Sequence, residues 1–171
     1  MNVMKLDTYR PQVDSPKNNM VREMEWDDID CVVRMCRKMY PKSNYAPLEF
    51  NESKLRASLR KAVKERPWNF RVFVLSSDHV IGGIGCTVDT GMQTDDLIAR
   101  DILLCVDKEG TKHVKLLVKA YEEWATARGA KILMLGHTTG IGSSKAYTRF
   151  TRSMGYREVG CAYFKSTLSV L

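Results

Sequence analysis

The sequence predicts an α/β (α+β) domain, with one mixed central sheet of about six or seven strands flanked by about four helices. Three observations predict it. The middle of the chain alternates with the period of a strand, the segments on either side repeat with the period of a helix, and a glycine-capped helix separates two short apolar runs. A strand-helix-strand unit of this size makes a parallel, right-handed crossover. At 171 residues the chain is long enough for one core. Residues 1–19 carry Pro11, Pro16, Asn18 and Asn19 without apolar periodicity and read as a flexible arm, so the folded domain is expected over 20–171.

The run "MVREM" from Met20 suits a short strand. Behind the acidic opening "DDID", Ile29, Val32, Val33, Cys36, Met39 and Tyr40 recur at helical spacing, and Pro41 ends the helix. A second helix starts at Asn51, a good N-cap, with Leu55, Leu59, Ala62 and Val63 on one face and Pro67 beyond its end. "FRVFVLSS" and "VIGGIGCTV", rich in branched and aromatic residues, form two strands joined through "SDH" as a hairpin, and "LIARDILLCV" forms a third. The spacing of Val114, Leu117, Val118, Tyr121 and Ala125 predicts a long helix over 113–128, closed by Gly129, and "KILML" is the next strand. Ser143 or Ser144 caps a last helix carrying Ala146, Tyr147, Phe150 and Met154, which stops at Gly155. "YREVGCAYF" then alternates as a half-buried strand, with Val159, Cys161 and Tyr163 expected inward.

Composition narrows the function classes. Hydrophobic content of 44% and charged content of 27% are those of a globular protein, and no stretch approaches the ~20 apolar residues of a membrane span. No apolar run follows the N-terminal basic residues, so a cytoplasmic protein without membrane association is expected. The five cysteines fall in apolar runs without metal-ligand spacing, and His79, His113 and His137 are scattered, so reduced thiols and no metal are expected. The net charge of +7 suits an anionic partner: cofactor phosphates, an acidic protein face or nucleic acid. Arg149, Arg152 and Arg157 are the candidate nucleic-acid patch, or else a solvated helix face.

The element order, with "ARDILLCVDKEGTKHVKLLVKAYEEWATARGAKILML" followed by "SSKAYTRFTRSMGYREVG", resembles the GNAT family of acyl-CoA-dependent N-acyltransferases over about residues 20 to 165. Its most specific part is the end, with Ala146, Phe150, and the glycine-aromatic pair Gly155 and Tyr156. The resemblance implies transfer of an acetyl group from acetyl-CoA to a primary amine of a protein or small molecule. It also implies that the strand around Leu104, Cys105 and Val106 runs beside the cosubstrate, with a strand N–H in the Leu103–Val106 region stabilising the oxyanion. Lys108, Gly110, Thr111, Lys112 and His113 would then meet the pyrophosphate at the start of the long helix.

Two positions depart from the family pattern. The loop "KEGTKH" keeps Gly110 but fills the other expected glycine positions with larger residues. Thr151 stands where the family commonly keeps a tyrosine that protonates the departing thiolate. Tyr147, one i,i+4 step earlier, is the candidate replacement, or a core aromatic. An ammonium of pKa about 10 must lose its proton before attack, so a carboxylate base is needed. Asp101 is the first candidate, with Asp95 and Asp96 as alternatives; Asp101 is otherwise a charge on the solvent side of the strand, paired with Arg100 or another base. His137, after "KILML", is a second base or a polar loop residue. A GNAT-like fold that has lost catalysis and serves as a binding module is the other reading.

Overall fold

The computed structural model describes residues 20–160 and 163; the expected arm over 1–19 lies outside them. Five strands form one sheet in chain order: β1 (Met20–Glu23), β2 (Phe70–Ser76), β3 (Val80–Gly91), β4 (Thr94–Val106) and β5 (Ile132–Met134). β1 to β4 pair antiparallel, and β5 joins β4 parallel after the crossover. The helices are α1 (Ile29–Met39), α2 (Glu52–Glu65), α3 (Val114–Ala127) and α4 (Ser144–Ser153).

Local signals account for most boundaries. The Asn51 side chain accepts the Lys54 N–H at 2.8 Å and starts α2. At its other end Arg66 takes the left-handed conformation, φ 43°, which an L-residue adopts at a cost. The turn at Ser77–His79 closes the β2–β3 hairpin through a Ser77 N–H to His79 O bond of 3.0 Å. α3 ends at Gly129, φ 80°, and α4 is capped by Ser143 and followed by Gly155 at φ 87°.

The helices cover both faces of the sheet. α1 and α2 place Val32, Val33, Cys36, Leu59 and Ala62 against Val72, Val74 and Cys105. On the opposite face, α3 buries Leu117, Tyr121 and Trp124 against Phe73, Leu75, Ile84 and Ala99. β3, covered from both sides, is buried without interruption from Val80 to Cys86.

A β-bulge in β4 sets up everything at its C-terminal end. Cys86 pairs with Asp101 and Gly85 with Leu103, so Ile102 is the extra residue. The insertion inverts the side-chain phase: Leu97 and Ala99 face α3 before it, whereas Leu104 and Val106 face α3 after it, and Leu103 and Cys105 turn to the α1–α2 side. Ile102 itself is 59% exposed.

Two expectations are corrected. The described sheet has five strands rather than six or seven. No strand forms over residues 156–160, and Val159 and Tyr163, expected inward, are 73% and 95% exposed; Cys161 lies outside the described residues. Alternation buries one face only when a neighbouring strand or layer receives it, and among the described residues no strand flanks this segment.

Candidate active site

β4 and β5 pair over only three residues, Ile98–Ile132 to Arg100–Met134, and then part. The last paired residue of β5 is held by a side chain from α3. The fully buried Tyr121 hydroxyl accepts the Met134 N–H at 3.1 Å and donates to Met134 O at 3.0 Å, so one group uses both polar atoms of the last strand residue. Burial pushes the Tyr121 phenol up, which keeps it protonated. Past the fork, β4 remains paired with β3 on one edge as far as Val106 while its other edge has lost β5. With Ile102 exposed and Leu103, Leu104 and Val106 partly exposed, the angle between the strands is open to solvent.

Three expected site residues meet at the base of this fork. Asp101 Oδ1 accepts the Gly136 N–H at 2.7 Å, and the Tyr147 hydroxyl donates to Gly136 O at 3.1 Å. Gly136 therefore links the strand acid to the α4 phenol. His137 stacks on Tyr147 with ring centroids 4.5 Å apart. Its Nε2, 3.0 Å from Ile141 O, is the donor of that contact, which leaves Nδ1 as the basic nitrogen. Burial raises the Asp101 carboxyl against the opposing pull of the Gly136 N–H. Burial, followed by the Asp101 charge, pushes the Tyr147 phenol up to about 12. Asp101 has no ion pair among the described residues, so pairing with Arg100 does not account for it. Thr151 directs its hydroxyl to Tyr147 O and Thr148 O, at 3.1 and 3.2 Å, and so spends it on its own helix.

The turn between β4 and α3 is built from inside. Asp107 Oδ1 accepts the Gly110 N–H at 2.8 Å, Asp107 O accepts the Thr111 N–H at 3.1 Å, and Glu109 O accepts the Lys112 N–H at 3.4 Å. A Cβ on Gly110 would stand 2.2 Å from Ile81 O, so this glycine serves the approach of the turn to β3. Lys108 and Lys112 are exposed at the α3 N-terminus.

No family model matches the chain, and no curated protein does. Solved structures do. AAC(6')-Iy in complex with the bisubstrate analogue CoA-S-monomethyl-acetylneamine is 13% identical, with 88% of this chain and 98% of that chain covered at a TM-score of 0.68. The aminoglycoside acetyltransferase meta-AAC0020 from an uncultured soil metagenomic sample, in complex with sisomicin, is 18% identical, with 89% and 97% covered at 0.63. A GNAT family acetyltransferase of Staphylococcus aureus is 18% identical, with 87% and 98% covered at 0.60. The chain has the GNAT fold.

Within that fold the remaining candidates fall in different places. Asp95 and Asp96 lie at the far end of β4, Asp96 paired with Lys131 at 2.6 Å. Five strand steps of about 3.3 Å put Asp96 roughly 17 Å from Asp101. Arg149, Arg152 and Arg157 are exposed, and Arg152 lies 4.0 Å from Glu158. A groove of about 510 Å³ runs along Ser144, Lys145, Thr148, Arg149 and Arg152 on α4. Cys36, Cys86 and Cys105 are buried free thiols, and no described helix is long and apolar enough to cross a membrane. Tyr121, Gly136 and Asp107 had no signal in the sequence beyond a helical apolar face, a loop glycine and a residue before a turn.

Proposed function

We propose that the protein is an N-acetyltransferase that takes its acetyl group from acetyl-CoA and delivers it to a primary amine. The single observation that carries this reading is the fork: a strand edge stripped of its partner, with a half-buried carboxylate at its base. The pantetheine arm of acetyl-CoA carries two amides, which suit pairing with the free edge of β4 beyond Ile102 as a strand would. The phosphates are met less conventionally, since the Gly110, Thr111 and Lys112 N–H groups are already bonded. Lys108, Lys112 and the α3 N-terminus supply the positive charge, beside Thr111 and His113. Two of the similar structures carry a CoA-based bisubstrate analogue and an aminoglycoside, which supports a CoA donor and an amine acceptor.

The chemistry follows from the residues at the fork. The ammonium of the acceptor gives a proton to Asp101, directly or through water, and the neutral amine attacks the thioester carbonyl. A raised carboxyl is the better base at neutral pH because its affinity for the proton is closer to what the step requires. N–H groups of the free β4 edge in the Leu104–Val106 region stabilise the oxyanion. The C–S bond then breaks, and the proton that the attacking nitrogen still carries passes, directly or through water, to the departing thiolate, whose conjugate acid has an ordinary pKa of about 8.5. A phenol held at about 12 passes its proton to such a thiolate only uphill, so Tyr147 acts as a hydrogen-bond donor and as the support of Gly136. His137 Nδ1 is the second base available on that side.

The self-bonded turn at Gly110 favours a second reading, in which the fold is kept as a binding module and catalysis has been lost. One assay separates the two. Acetyl-CoA is incubated with a panel of primary amines, and release of free thiol is followed together with the mass of the acceptor. Thiol release that requires the amine and drops in Asp101→Asn supports transfer. Absence of turnover with every amine, at acetyl-CoA concentrations up to millimolar, supports the module.

A further inference from the structure

We infer that Asn44 is a positioning residue for this site: it latches the loop after β5 onto the loop between α1 and α2, and so fixes Gly136, which both Asp101 and Tyr147 engage. The catalytic consequence rests on the transferase reading above, whereas the latch is a property of the fold. The two loops, far apart in sequence, are joined by a pair of bonds: Asn44 N–H to Thr139 O at 2.7 Å, and Asn44 Nδ2 to Thr138 O at 3.1 Å. Gly140 completes the contact. Its φ is +69°, and a Cβ there would have as its nearest neighbours Asn44 Nδ2 and Oδ1, both at 2.7 Å, and Asn44 Cγ at 2.9 Å. The carboxamide thus lies against the bare Cα of Gly140, in a space no other residue type leaves.

The other side of the latch is rigid for reasons local to its own sequence. Ser43 Oγ donates to Tyr40 O at 2.7 Å and accepts the Tyr45 N–H at 3.2 Å, while the Ser43 and Ala46 N–H groups bond Tyr40 O and Ser43 O at 3.0 Å each. This tight turn presents Asn44 at its apex. The loop it grips has no regular structure between Met134 and Ser144. Among the described residues, apart from Asn44 and the Ser143 cap of α4, the bonds that order it are those of Asp101 and Tyr147 to Gly136, the His137–Ile141 contact and a long Ile141 N–H to Thr139 Oγ1 contact of 3.5 Å. Without the latch, the bonds at Gly136 would have to bear the ordering cost of the loop. A general base works only while it is held in place, so a contact two residues from Gly136 acts on the reaction through Gly136.

The test measures amide hydrogen exchange by NMR in the full chain, as wild type, Asn44→Ala, Gly140→Ala and the double variant, beside transfer kinetics. Loss of one net hydrogen bond should accelerate Gly136 exchange about fivefold in Asn44→Ala, with the buried β3 amide of Ile84 unchanged. In transfer, kcat falls while KM for acetyl-CoA holds. Gly140→Ala accelerates Gly136 more strongly, because its methyl strikes the Asn44 carboxamide. In the double variant that collision is gone, so the two effects are less than additive. Unchanged Gly136 exchange in Asn44→Ala, strict additivity, or equal acceleration at Ile84 would overturn the latch. A wild type that never transfers acetyl while Gly136 still responds overturns the transferase reading and its catalytic consequence and leaves the latch standing. Transfer with an unresponsive Gly136 overturns the latch alone.

Discussion

Tyr121→Phe isolates the hydroxyl that holds the end of β5 to α3. The ring is fully buried against the α3-side core and is retained by the substitution, so no cavity forms and packing is left as it was. What disappears is one hydroxyl with two partners, the Met134 N–H and C=O. At a net value of about 1 kcal/mol for each bond, the loss is about 2 kcal/mol. Met134 is 40% exposed, so water reaches part of its surface and the larger penalty of two fully orphaned groups does not apply. For a chain of this length, each kcal/mol moves Tm by roughly 2–4 °C, and Tm should therefore fall by about 4–8 °C. Thermal unfolding at pH 7 measures it, and exchange of the Met134 amide, which should accelerate with the unfolding midpoint, checks the location. A Tm equal to or above that of the wild type, with the Met134 amide still protected, would refute the view that this hydroxyl anchors the end of β5.

Further substitutions examine the other parts of the site. Burial raises the folded-state pKa of Asp101 above its unfolded value, so the folded state binds the proton more tightly; full stability from this group is present below about pH 4 and declines as pH rises through the raised value. Asp101→Asn, whose Oδ1 still accepts the Gly136 N–H, should be at least as stable as wild type at pH 7 in urea titrations, with the difference gone below about pH 4, while transfer drops about 10²- to 10⁴-fold. Gly110→Ala drives a methyl into Ile81 O and should cost about 3 kcal/mol, read as a lower urea midpoint. Arg66→Gly relieves the left-handed C-cap of α2 and should gain about 1 kcal/mol, read as a Tm increase of roughly 2–4 °C.

What could be read from the sequence was local. Asn51, Ser143, Gly129 and Gly155 act on backbone within a few residues of themselves, so their positions announce helix ends directly. The apolar spacing of α1 and α3 placed Val32, Val33, Leu117 and Tyr121 in the core for the same reason. The bulge at Ile102 could not be read, because the phase of β4 inverts only relative to its partner β3. Helical spacing counts Tyr121 as an apolar position and says nothing of a hydroxyl that meets a strand thirteen residues on. Asn44 and Thr138 are joined by folding alone. The alternation from Tyr156 onward was visible as a pattern, yet Val159 remains exposed because alternation specifies a strand only where a neighbour exists. Asp101 was singled out through family likeness; what raises its carboxyl, partial burial opposed by the Gly136 N–H, is three-dimensional.

The most direct measurement is an NMR titration of the full chain with acetyl-CoA, following the backbone amides. A thioester seated in the fork should shift Ile102 to Val106 and Gly136 first and most strongly, saturating at micromolar to low millimolar ligand. Shifts confined to the outer face of α4, or a spectrum unchanged at millimolar ligand, would contradict the account.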